Sequence, residues 1–145
     1  MSTPADFMLA QARPGQALPA VRQQASAVQL FLYNAAIWNP HRIHCDAAYV
    51  TGVEGHPALV VDGPLQGDWM LQLVYAALGP GDALLSFRYQ NRASAYADEP
   101  LTVGGTVAGV DGDRVSLSLA VTNAAGQATT LGSAVVRRAG AGAAE

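Results

Sequence analysis

Three histidines, His41, His44 and His56, fall within a sixteen-residue window, and the 145-residue chain contains no lysine. Histidine is then the only side chain present whose unperturbed pKa lies near neutrality, which is what proton transfer at neutral pH requires. The segment Ile37-Trp-Asn-Pro-His-Arg-Ile-His-Cys-Asp46 gathers His, Arg, Asn and Asp into one connection between apolar elements, a common place for a site. A plainer reading has His41 closing a turn and His44 as a half-buried, hydrogen-bonded ring. A metal centre is disfavoured: His41-x-x-His44 with Cys45 and Asp46 offers N, S and O donors, but a loop running into a helix start does not converge four ligands. Downstream, Val60-Val-Asp-Gly-Pro-Leu65 leads into an apolar run. Free N–H groups at a helix start, with a glycine allowing close approach, suit an oxygen that gains negative charge. The competing reading is an ordinary helix start capped by Asp62.

Composition narrows the classes. Eight arginines face eleven acidic residues for a net charge of −3, and 13% of residues are charged while 50% are apolar. An average soluble domain is about 25% charged. The length fits one domain with one core, and the apolar half argues against disorder. A mildly acidic balance argues against nucleic acid as a partner. The single cysteine, Cys45, excludes an intramolecular disulfide and a multi-cysteine metal site. No apolar run approaches the ~18 residues of a membrane span, and Met-Ser-Thr-Pro-Ala-Asp lacks the basic start of a secretory leader. The expectation is a cytoplasmic protein with no membrane partner. With so few charges to cover its outside, it is expected to hide surface in a subunit contact.

The elements that must hold these residues change character once along the chain. Residues 1–20, punctuated by Pro4, Pro14, Gly15 and Pro19, read as a flexible lead-in with a short edge strand near its end, and 139–145 as a flexible small-residue tail. From Ser26 to Leu78 the apolar spacing is helical. The spacing predicts helices over 27–36 with Ser26 as N-cap, over 46–51 with Asp46 as cap, and over 64–78 with Pro64 at the first position. The third helix is apolar on most of its circumference through Leu65, Trp69, Leu71, Leu73, Val74, Ala76, Ala77 and Leu78, so it is expected to be buried. Strands are predicted over 83–89, 101–110, 114–122 and 128–137, with turns at Val110-Asp-Gly-Asp113 and Asn123-Ala-Ala-Gly126. The fold class is α+β, one domain over 21–138 in which an antiparallel sheet wraps a buried helix.

Two stretches, Tyr33-x-Ala-x-x-x-Asn39-x-His41-Arg42-Ile43-His44-x-Asp46-x-x-Tyr49 and Glu54-Gly55-x-Pro57-x-Leu59-Val60-Val61-x-Gly63-Pro64-Leu65, resemble the MaoC-like hydratase/dehydratase family. The likeness is greatest to the branch of 3-hydroxyacyl-thioester dehydratases and itaconyl-, mesaconyl- and methylfumaryl-CoA hydratases. A weaker echo runs from Phe87 to Arg92 and on to Pro100-Leu101-x-Val103-x-Gly105. The resemblance implies a hot-dog fold, an antiparallel sheet around one long central helix, paired as a homodimer or as a heteromer with another hot-dog chain. It implies reversible addition of water to an enoyl thioester of coenzyme A or of a carrier protein, with no cofactor beyond the coenzyme A of the substrate.

The same resemblance assigns roles. His44 matches the family's histidine and Gly63 the glycine whose N–H polarises the thioester carbonyl. Asn39 stands where better-studied members carry the catalytic aspartate, so proton transfer is expected to rest on His44 while the Asn39 amide orients water or substrate. Asp62 stands where the family usually has histidine before the glycine. It is read as a helix cap first, and as a second acid/base or a substrate-reading carboxylate second. Arg42 is expected to pair with Asp46 or bind substrate, and Arg88 and Arg92 could hold coenzyme A phosphates. Two competitors remain: a non-catalytic or half-catalytic subunit of a paired assembly, and a thioesterase, for which only Asp68 lies on the long helix.

Overall fold

The computed structural model describes residues 7–139. In chain order the elements are β1 (Ala17–Gln23), α1 (Ala27–Ile37), α2 (Ala47–Gly52), α3 (Gly63–Ala76), β2 (Ala83–Asn91), β3 (Leu101–Asp111), β4 (Arg114–Thr122) and β5 (Ala128–Arg137). The strands form one antiparallel sheet in the order β1-β3-β4-β5-β2. β4 shows why: Val115, Leu117, Leu119 and Val121 are buried while the residues between them are half-exposed or exposed. Such two-residue alternation builds a sheet with one dry face.

The dry face is covered by α3, which packs against β2, β3, β4 and β5. Leu65, Trp69, Met70, Leu73 and Val74 supply its buried side, and each large apolar side chain so buried contributes roughly 1.5–3 kcal/mol. At Gly132 on β5 an added Cβ would meet the Met70 sulfur at 2.9 Å, so the glycine lets α3 approach the sheet. The burial is narrower than the sequence predicts: Asp68, Gln72, Tyr75 and Ala76 form an exposed stripe.

The lead-in expected over 1–20 is tied down from Phe7 onward. Phe7, Leu9, Ala12 and Leu18 are in the core, and the Leu9 N–H donates to Ala77 O at 3.1 Å. The end of a helix leaves carbonyls without intrahelical donors, and this segment supplies one to α3. Residues 1–6, and 140–145 of the expected flexible tail, lie outside the described residues.

α1 differs most from a buried helix. Only Leu30 and Asn34 are buried, whereas Val28, Phe31, Leu32, Ile37 and Trp38 are exposed. An apolar helix thus lies on the outside of this chain, where the scarcity of charge predicted that surface would need covering.

Candidate active site

Local structure fixes the His44 loop before any long-range contact does. α1 begins at Ser26, whose side chain accepts from Gln29 N, and ends at Trp38 in the left-handed region (φ 58°, ψ 41°). This turn, with Asn39 N donating to Asn34 O at 2.9 Å, directs Asn39 back toward α3. A single 3-10 turn over Arg42–His44 follows, in which His41 Nδ1 accepts from Ile43 N. Asp46 then caps α2 by accepting from Tyr49 N at 3.0 Å. Its other oxygen accepts from Arg42 Nη2 at 2.7 Å and Nε at 3.1 Å, and the Arg42 guanidinium lies 4.2 Å above the Tyr49 ring.

The Tyr49 amide first and the Arg42 guanidinium second hold the Asp46 carboxyl below the usual carboxylate range. The folded chain therefore binds this proton less readily than the unfolded chain. The stabilisation is complete above the unfolded pKa of about 3.9 and is lost as pH falls through the folded value. Asp46→Asn keeps a good cap but not the charge, so its urea midpoint should fall less steeply with acidification than that of the wild type. Equal slopes would refute this account of the loop.

The segment Leu59–Val61 threads between this loop and the connection from β2 to β3. Val60 N donates to Ile43 O at 3.0 Å and Val61 N to Ala95 O at 2.8 Å. Val60 O lies 2.7 Å from His44 Nδ1. A carbonyl oxygen only accepts, so Nδ1 carries a proton and donates. The other ring nitrogen, Nε2, lies 3.3 Å from Asp62 Oδ1. His44 and Asp62 are both buried.

Asp62 is held by amides. Asn34 Nδ2 donates to Oδ2 at 2.8 Å and to Leu30 O at 2.8 Å, which leaves Asn34 Oδ1 sealed without a partner. Asn39 Nδ2 donates to Asp62 Oδ1 at 3.2 Å, and Asn39 Oδ1 accepts from His41 N. Asp62 occupies the N-cap position of α3 yet makes no side-chain cap bond. The cap reading of Asp62 is corrected here: three polar side chains, His44, Asn34 and Asn39, draw the carboxylate away from the helix N–H groups. Asn39 in turn supports that carboxylate, where the sequence placed it on water or substrate.

A cavity of about 490 Å³ brings the centre together. Asn39, His44, Asp62, Gly63 and Arg92 line it, with Ile43, Val60, Val61, Pro64, Gln66, Asn91, Ala93 and Ser94. Gly63 stands at the start of α3, where an added Cβ would collide with the Asn91 side chain. Two predicted substrate contacts lie elsewhere. Arg42 is consumed by Asp46 and Tyr49, and Arg88 lines a separate depression with Tyr89, Leu131 and Ser133. Asp68 is exposed, accepts from the Tyr33 hydroxyl at 2.8 Å, and does not line the His44 cavity. Burial and then this bond push the Tyr33 phenol above its usual range. Sequence reasoning missed Asn34 and Gln66. The available signal was a polar residue on the buried stripe of an apolar helix.

Comparison with known proteins gives the family. Residues 8–97 match the family model described as hydroxyacyl-thioester dehydratase type 2. The chain belongs to this family of MaoC-like hydratases. It is 33% identical to the mesaconyl-C(4)-CoA hydratase of Chloroflexus aurantiacus over 88 residues, 61% of this chain and 30% of that protein. The chain thus spans under a third of the length of that curated relative. Among solved structures it resembles the ChsH1-ChsH2 complex of Mycobacterium tuberculosis, with a TM-score of 0.79 at 16% identity over 88% of this chain and 98% of that one. It also resembles the R-hydratase PhaJ1 of Pseudomonas aeruginosa, with a TM-score of 0.79 at 23% identity over 89% of this chain and 83% of that one. These likenesses establish the hot-dog fold expected for the family. Among the described residues, no helix is long and apolar enough to cross a membrane.

Proposed function

We propose that the chain hydrates an α,β-unsaturated acyl thioester and catalyses the reverse dehydration. The observation that carries this reading is the pairing of His44 Nε2 with Asp62 Oδ1, 3.3 Å apart, beside the Gly63 helix start in a single cavity. A water at the pair gives its proton to the Asp62 carboxylate as its oxygen bonds to C3 of the substrate. The π electrons shift toward the thioester oxygen, whose growing negative charge the Gly63 N–H and the positive end of α3 stabilise. The proton on His44 Nε2 passes to C2. The pair receives one proton and releases one, so it ends as it began, and elimination follows the same path in reverse.

Arg92 lines the same cavity, which supports assigning it to a phosphate of the carrier group. The carrier is coenzyme A or a carrier protein, and the thioester supplies all the activation the carbon needs without a further cofactor. The exposed apolar side of α1 supports pairing with a second hot-dog unit, in this chain's homodimer or with a different chain. Mixing the protein with crotonyl-CoA, longer enoyl-CoA thioesters and unsaturated diacid thioesters should remove the conjugated double bond of at least one. Release of free thiol with the double bond intact would replace this reading by a thioesterase. Activity appearing only after a different chain is added would make this the half-catalytic partner.

A further inference from the structure

A helix interior that faces a sheet is expected to be apolar, and on α3 the buried stripe holds one polar residue, Gln66, which is 2% exposed. Its carbonyl is pinned: Oε1 accepts from Thr129 Oγ1 at 2.7 Å and from Thr130 Oγ1 at 2.9 Å. Both threonines are fully buried on β5. Each hydroxyl has a second acceptor 3.2 Å away, Val121 O for Thr129 and Asn91 Oδ1 for Thr130, but the shorter contacts to Oε1 have the usual O–H···O length, and with Oε1 on the threonines Nε2, with its two N–H groups, points the other way. Among the described residues Nε2 makes no hydrogen bond. Nor is it sealed, since the sealed side-chain polar atom without a partner is Asn34 Oδ1. The Gln66 nitrogen opens on the cavity that Gln66 lines with Gly63, His44 and Asp62.

Helix geometry says where those donors go. Gly63 is the first residue of α3 and Gln66 the fourth, so both share one face. Helical side chains lean toward the N-terminus, and a residue covers the turn before its own Cα. The Gln66 amide therefore reaches over the turn that begins at Gly63, and Gly63 has no Cβ to block it. A carbonyl oxygen has two lone pairs, and one backbone N–H satisfies only one of them.

We infer that Gln66 is a catalytic residue, whose Nε2 donates the second hydrogen bond to the thioester oxygen as it takes on enolate charge. This rests on the hydratase reading of the site. Thr129 and Thr130 act as positioning residues that aim the amide. The design is economical in motion, because the donor is oriented before substrate arrives.

Two variants separate catalysis from structure. Gln66→Met keeps the length and lacks the donors. Gln66→Glu keeps an oxygen for both threonine hydroxyls but replaces the donors by a second acceptor. Each should lower kcat about 100-fold with KM changed less than about threefold, the loss expected for one oxyanion donor. A residue of purely structural value would tolerate glutamate, so near wild-type kcat in Gln66→Glu overturns the inference while leaving hydration by His44 and Asp62 intact. The second readout is the infrared carbonyl stretch of carbon-13-labelled butanoyl-CoA, a saturated thioester that cannot react. It should move to lower frequency on binding the wild type, and the shift should shrink in both variants. An unchanged shift refutes the role of Gln66. If no enoyl thioester is hydrated, the hydratase reading fails by itself, and the carbonyl shift still decides whether Gln66 polarises a bound thioester.

Discussion

A His44→Ala variant is expected to lose about 10²- to 10⁴-fold in the hydration of enoyl thioesters, the range over which positioned acid–base groups act. The ring is oriented at one nitrogen by Val60 O and meets Asp62 with the other, so its loss removes the proposed donor to C2. Folding should suffer little. The ring makes one hydrogen bond of about 1 kcal/mol net value, Asp62 keeps the Asn34 and Asn39 amides when the ring is gone, and the ring lies against a cavity rather than within the apolar core. Loss of the conjugated double bond reports the activity and a circular-dichroism melt reports the fold. Hydration of crotonyl-CoA and larger enoyl thioesters at the wild-type rate would remove His44 from the chemistry.

The second large effect is expected at Asp62. Asp62→Asn is nearly isosteric, and asparagine is as good an N-cap as aspartate. Were Asp62 a cap, the change would be close to silent. The geometry predicts otherwise. Asp62 accepts from Asn34 and Asn39 and faces His44 Nε2, so an amide there turns an N–H toward donors and cannot take a proton from water. We expect hydration to fall about 10²- to 10⁴-fold. Stability should fall by about 1–3 kcal/mol from unpaired buried groups. Wild-type activity in Asp62→Asn would return the proton transfer to His44 alone and leave the carboxylate a structural role.

These two residues show how differently parts of the site could be read. His44 and Gly63 were legible because each belongs to a local motif, a loop rich in polar residues and a glycine just before a proline at a helix start. α2 with its Asp46 cap, the strands from β3 to β5 and the buried α3 were legible for the same reason: capping, turn chemistry and apolar period act over a few residues. Of the two readings of Arg42 the pairing with Asp46 is the one the structure shows, and the surroundings of Arg88 were not legible because an arginine's partner depends on what stands within reach in space. Asp46 and Tyr49 consumed the first, and the second lines a different depression. The edge strand near the end of the lead-in is β1, but the anchoring of the residues before it was not legible, because the Leu9 N–H satisfies a carbonyl at the far end of α3, a bond invisible to local spacing.

The carboxylate shows the division most sharply. The sequence by itself determined that an aspartate, Asp62, stands beside the glycine, and the family resemblance set an amide, Asn39, where better-studied members carry aspartate. On that basis the chain could be a weakened enzyme or a non-catalytic partner. Only the tertiary structure decided where the Asp62 side chain goes. Residues 34, 39, 44 and 62 are up to 28 positions apart, and a rotamer at a helix start is chosen by the donors around it. Two asparagine amides and the His44 ring converge on the buried Asp62, where a carboxylate without such partners would be costly to bury.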